Sequence, residues 1–101
     1  MMISTITLLG QASDPIEGYK TFRYINIESR EPFDENSFYS KIPVMYWDRS
    51  PHNPLLRIPN GHFVVLFGRL ESHPELGLYV LVEQMRHFPS NLKEHQDKEE
   101  K

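Results

Sequence analysis

The sequence predicts an all-β domain, a small barrel of five strands. Three observations carry that prediction. Apolar residues alternate with polar ones in separate runs, the period of a strand with one buried face. Pro, Gly, Asn and Asp collect between those runs, where turns require them. The 101 residues, 39% of them hydrophobic, suffice for one core and not for two. Five strands are too few for two full sheets packed face to face. Rolled into a barrel, they bury one core without leaving long edges.

The first run, ISTITLLGQA, places Ile6, Leu8, Gly10 and Ala12 on one face. Asp14-Pro15 then starts a turn that Gly18 closes. In YKTFRYINIES, Ile25 and Ile27 share one face, and Phe22, Tyr24 and Asn26 the other. Arg23 falls with the isoleucines and is expected to reach solvent only where the strand curls. REPFDEN is a polar loop. SFYSKIPVMYW is the third strand, and its Pro43 argues for an edge or a bulge. Pro51, Pro54 and Pro59 leave no room for a long helix in DRSPHNPLLRIPNG; one turn fits near Leu55 to Ile58. HFVVLFGRLES and GLYVLVEQMRHF are the fourth and fifth strands, joined by HPELG. The domain is expected to take residues 1–90. Residues 91–101 form a charged tail without apolar periodicity, flexible and dispensable for the fold.

The fourth strand carries a glycine, Gly68, where a side chain would ordinarily pack. A small barrel bends its strands sharply, and glycines mark the bends. Gly68 and Gly10 are therefore expected at barrel corners. The same strand is apolar on both faces. With Val64, Leu66 and Leu70 in the core, Phe63, Val65 and Phe67 face outward as an oligomer interface, because three such groups on a solvated face are a liability. A second copy of the chain is the expected cover, a loop or the tail the alternative.

Composition excludes several classes. No apolar run approaches the ~20 residues of a membrane helix, and the N-terminus lacks the basic region and cleavage site of a signal peptide. There is no cysteine, hence no disulfide framework or thiolate metal site. A cytoplasmic setting is the simplest reading. The net charge is -3, but KEHQDKEEK at the end holds four acids and three bases, leaving ten acids and eight bases in residues 1 to 92. Any anion site is a local patch. Histidines 52, 62, 73, 87 and 95 include no pair at zinc-ligand spacing in the chain. No phosphate-cradling glycine loop and no serine elbow occur. No metal, no cofactor, no small-molecule substrate and no catalysis are expected.

What remains is a surface. In the third strand Tyr39, Lys41, Met45 and Trp47 share one face, while Phe38, Ile42, Val44 and Tyr46 share the other. The first set mixes aromatics with a cation and is expected outward. Phe22 and Tyr24 of the second strand point the same way, with Lys20 beside them and Arg30, Arg49 and Arg57 in adjoining loops. Flat π faces for bases and cations for phosphates are what binding of single strands without sequence readout requires. A one-residue slip would exchange the two faces.

These runs, in this order, resemble the bacterial single-stranded DNA-binding proteins. TITLLGQASDP is similar to the family's first strand and following turn, FYSKIPVMYW to its aromatic and basic third strand, NGHFVVLFGRLES to its fourth and YVLVEQMRHF to its last. The likeness spans residues 3 to 88. It implies an OB-fold, self-association into a dimer or tetramer, and binding of single-stranded DNA without sequence preference, in replication, recombination or repair. Three features depart from the family. Gln11 stands where a basic residue follows the first-strand glycine. HPELG is short where a long basic hairpin is common. The sequence reaches Lys101 without the acidic tip through which the family recruits partners, so a short form of the family is expected. An OB-fold adaptor that uses the aromatic face for protein, and an RNA-binding OB domain, remain open, since a 2′-hydroxyl contact leaves no sequence signature.

Overall fold

The structure, a computed structural model, describes residues 4–30 and 37–89, with the backbone alone for 29, 30, 37 and 38. The expected tail and Arg30 and Phe38 side chains lie outside what is described. Five strands follow one another: β1 (Ile6–Pro15), β2 (Phe22–Arg30), β3 (Ser37–Met45), β4 (Phe63–His73) and β5 (Gly77–Phe88). They form one closed barrel in the order β1-β2-β3-β5-β4. β1 divides its length between two partners. Ile6 to Gln11 pair with β4, and Gln11 to Pro15 pair with β2. β2 and β3 pair from end to end, as do β4 and β5. The barrel closes through a short parallel contact of β3 with β5 at Val44 and Met45. Pro43 precedes that contact, in the part of β3 flanked by β2 alone. Among the described residues there is no helix, and none long and apolar enough to cross a membrane.

The period-two pattern sets the inside of the barrel. Ala12, Ile25, Val44, Val64, Leu66, Val80 and Val82 are buried, with Ile6, Leu8, Ile27, Ile42, Tyr46 and Met85 packed against them. Each fully buried aliphatic side chain contributes roughly 1.5–3 kcal/mol of transfer free energy. Both expected corner glycines sit where a backbone crosses closely. A β-carbon on Gly68 would overlap the Leu81 carbonyl, and one on Gly10 would overlap the Asn26 carbonyl and lie 2.7 Å from Ile25 Cγ2. At Gly68 the β4–β5 register skips Glu83, so the bend is a bulge. Leu70 departs from expectation: it is 40% exposed rather than core. Pairing with β1 ends at Gly68, so the β4–β5 hairpin runs past the ladder, and on that side Leu70 N meets Ser4 Oγ at 2.9 Å rather than a paired strand.

The connection from Tyr46 to His62 fills one end of the barrel with Leu55 and Ile58, both buried. Its form comes from hydrogen bonds rather than a helix. The Asn53 carbonyl accepts from Leu56 N and Arg57 N. The Asn53 side chain donates to Asp48 O at 2.6 Å and accepts from Leu55 N at 2.9 Å.

Arg23, expected to surface where β2 curls, is fully buried instead. Its guanidinium donates to Leu55 O (2.9 Å), Ile58 O (2.7 Å), Ser13 O (2.6 Å) and Asn60 Oδ1 (2.7 Å). Asn60 in turn donates to Asp14 at 2.9 Å. Burial pulls the Arg23 pKa down, and the Asp14 charge opposes it. A long side chain starting on the inner face can stay inside here because the turn above it presents carbonyls in need of donors.

Candidate nucleic-acid interface

The outer face of the β2–β3 hairpin follows from register. Phe22 lies opposite Met45, Tyr24 opposite Pro43, Asn26 opposite Lys41 and Glu28 opposite Tyr39. Val44 inside at 0% exposure fixes the phase of β3, so Tyr39, Lys41 and Met45 face outward, with Trp47 following beyond the strand. Tyr39 is 75% exposed and Trp47 68%. Lys41 is exposed and Met45 half-buried. The Lys41 ammonium sits 5.8 Å from the centre of the Tyr24 ring, a cation–π contact that occupies one face of that ring. Trp47 leans on Tyr46, ring centres 5.5 Å apart and planes tilted by 39°, which leaves most of the indole free.

Phe22 requires a correction. It lies on the outer side of β2 but is only 7% exposed, so it offers no open face to a base. Tyr19, His73 and Tyr79 cover it in edge-to-face contacts with ring centres 6.0, 5.5 and 5.0 Å from its own. The cover comes from two directions, the β1–β2 turn and the β4–β5 hairpin, which single-strand alternation cannot register. His73 Nδ1 accepts from Glu75 N and Leu76 N at 3.0 and 3.2 Å, which shapes the end of that hairpin. Burial pushes the Tyr19 phenol pKa up, reinforced by the Glu75 carboxylate.

Lys20 and Arg49 come together. With Gly18, Tyr19, Thr21 and Phe22 they line an open cleft of about 480 Å³. Met45, opposite Phe22, and Trp47 lie at the same end of the hairpin. Arg57 lies elsewhere, exposed on the turn that plugs the barrel, and does not line the cleft. Tyr79, Tyr19 and His73 were not legible as members of this surface; an aromatic next to Gly18 was the one available signal.

A second outer face covers β1, β4 and β5. Leu9 is opposite Val65, and Phe63 opposite both Gln11 and Phe88. Leu9 (67%), Phe63 (45%), Phe67 (41%) and Phe88 (46%) are exposed, and Val65 is half-buried between them. A cleft of about 590 Å³ lined by Leu9, Gly10, Gln11, Asn26, Glu28, Tyr39 and Phe63 joins this apolar face to the aromatic one.

No family model matches the chain, and no curated protein matches it in sequence. Solved structures do. The small single-stranded DNA-binding protein of Streptomyces coelicolor superposes with a TM-score of 0.61 at 15% identity, over 87% of this chain and 95% of that one. The mitochondrial single-stranded DNA-binding protein of S. cerevisiae gives 0.59 at 12% identity, over 88% and 98%. The Plasmodium falciparum protein of the same kind, solved with single-stranded DNA, gives 0.57 at 12% identity, over 87% and 96%. Identities this low establish the shared architecture alone: the closed five-stranded barrel is an OB-fold of the type those proteins have.

Proposed function

We propose that the protein binds single-stranded DNA without reading its sequence, as a non-enzymatic, SSB-like OB domain serving replication, recombination or repair in the cytoplasm. The observation that carries this reading is one barrel face on which Trp47 and Tyr39 are open to solvent with Lys41 between them, continuous with the Lys20–Arg49 cleft. Bases stack on the two rings, and the cations meet the backbone. The OB-folds it superposes on include one solved with single-stranded DNA, which supports the reading. Titration of oligo-dT against the fluorescence of Trp47, the sole tryptophan, tests it. Stacking quenches the indole; no quenching and no binding at low salt would dispose of the proposal.

Self-association belongs to the same reading. Phe63, Val65 and Phe67, extended by Leu9 and Phe88, form the apolar face for a second copy. Among the described residues, Ile6 to Gly10 of β1 have no ladder partner on the side away from β4, which leaves backbone groups for a neighbouring strand. A protein-binding adaptor is the second reading. It is favoured by the cleft in which Tyr39 shares walls with Leu9 and Phe63. Oligo-dT binding that survives loss of Tyr39 and Trp47 would favour it.

A further inference from the structure

His62 and His87 are far apart in the chain and adjacent in the barrel. His62 immediately precedes β4, and His87 is the partner of Val64 near the end of β5. Val64 points inward, so His87 lies on the inner side of the sheet, at the barrel mouth beside His62. The two Nδ1 atoms are 3.1 Å apart, and the ring centres 5.2 Å. The larger centre distance means that the nitrogens meet between the rings, rather than the rings stacking face to face. A shared proton holds that pair when nothing else is present, because one imidazole must donate and the other accept.

The same arrangement is a chelate. An imidazole nitrogen binds a metal ion at about 2.0–2.1 Å. Two such bonds to nitrogens 3.1 Å apart subtend about 95–100° at the ion, between the octahedral and tetrahedral angles. We propose that His62 and His87 bind one divalent transition-metal ion of the Cu²⁺, Ni²⁺ and Zn²⁺ group through their Nδ1 atoms. Imidazole suits those ions and not Mg²⁺ or Ca²⁺, which take oxygen. Among the described residues no group of three or more His, Asp or Glu side chains could hold a metal, so these residues supply two ligands, and water can fill the other positions. The bound ion cross-links the beginning of β4 to the end of β5, its two ligands 25 positions apart in the chain. It is independent of the nucleic-acid reading, since neither histidine lies on the β2–β3 face.

The test is thermal unfolding of the full chain, with NiCl₂ or ZnCl₂ against MgCl₂ at equal ionic strength, for wild type, His62→Gln, His87→Gln and a His52→Gln/His95→Gln control. A metal that binds only the folded state raises the melting temperature, by on the order of 5 °C or more once it exceeds its dissociation constant tenfold. The expected result is that rise with Ni²⁺ or Zn²⁺ in wild type and in the control, its loss in either site variant, and no rise with Mg²⁺. Sub-stoichiometric Cu²⁺ followed by NMR gives a second readout on the unmutated protein: the His62 and His87 ring signals should broaden before those of His52, His73 and His95. A rise that persists in both site variants, no rise with any of these ions, or broadening that begins at another histidine overturns the proposal.

Discussion

Replacing Arg23 by methionine removes a fork of donors while keeping most of its buried stem. The Leu55 and Ile58 carbonyls are buried with the guanidinium, and each loses its side-chain donor. Ser13 O and Asn60 Oδ1 are less enclosed, and water replaces the arginine there at small cost. Each buried acceptor left without a partner costs about 1–3 kcal/mol, so the two together cost roughly 2–6 kcal/mol. Swapping a whole buried polar network for apolar groups is often neutral, but the carbonyls here are backbone and stay behind. Against a total stability of about 5–15 kcal/mol for a domain, this is a large fraction. At about 4–8 °C per kcal/mol, the melting temperature should fall by roughly 10–50 °C. Urea unfolding followed by far-ultraviolet circular dichroism measures it, with an unchanged slope showing that the unfolded state is the same. Arg23→Lys should fall between, since an ammonium carries three donors but not the planar fork. If Arg23→Met unfolds within about 1 kcal/mol of wild type, the carbonyls rehydrate freely. The arginine is then not what holds the Asn53–Ile58 turn over the barrel.

Five further outcomes are expected. Gly68→Ala should destabilise by at least about 1–3 kcal/mol in the same urea assay, because the new methyl meets the Leu81 backbone rather than a movable side chain. Trp47→Ala and Tyr39→Ala should each weaken oligo-dT binding by about 1–3 kcal/mol, or about 5- to 150-fold, without changing the urea midpoint. Phe22→Ala should instead cost stability, by about 3–5 kcal/mol, and a binding loss at unchanged stability would contradict its place beneath Tyr79. Phe67→Asp should shift sedimentation toward monomer at micromolar concentration, whereas wild type and Phe67→Asp both sedimenting as monomer would rule out the apolar face as an interface of about 1,600 Å². Asp48 has its pKa lowered by the backbone and side-chain hydrogen bonds of Ser50, so its contribution is present above the ordinary value of 3.8 and lost as pH falls through the lowered one. The urea midpoint of Asp48→Asn should therefore fall less than that of wild type on acidification through that window.

Much of the barrel could be read from alternation alone, since each strand has a clear inner set. Val44, Val64 and Leu66 were placed by period two, and Gly10 and Gly68 by the need of a small barrel to bend. The residues that escaped are those whose environment is made by a distant segment. Arg23 lies inside because of carbonyls more than thirty positions later in the chain. Phe22 is covered by His73 and Tyr79, and Leu70 is exposed because β1 stops short of it. The nearness of His62 to His87 depends on the β4–β5 register, including its bulge, and no local spacing encodes it.

The barrel closes along a seam where β3 meets β5 only at Val44 and Met45, while the β2–β3 and β4–β5 hairpins are paired along their length. Mechanically this makes two bodies. One is the β2–β3 hairpin with the Tyr39–Trp47 surface; the other is the β4–β5 hairpin with Phe63 and Phe67. β1 serves both, changing partner at Gln11, which pairs with Asn26 on one side and Phe63 on the other. Parting the two-residue seam would leave the first body held at that crossover and the ladder of the second fully paired. On the proposed reading, a change in curvature of one hairpin would alter the grip on a nucleic-acid strand lying across Tyr39 and Trp47 while leaving the Phe63–Phe67 wall in place.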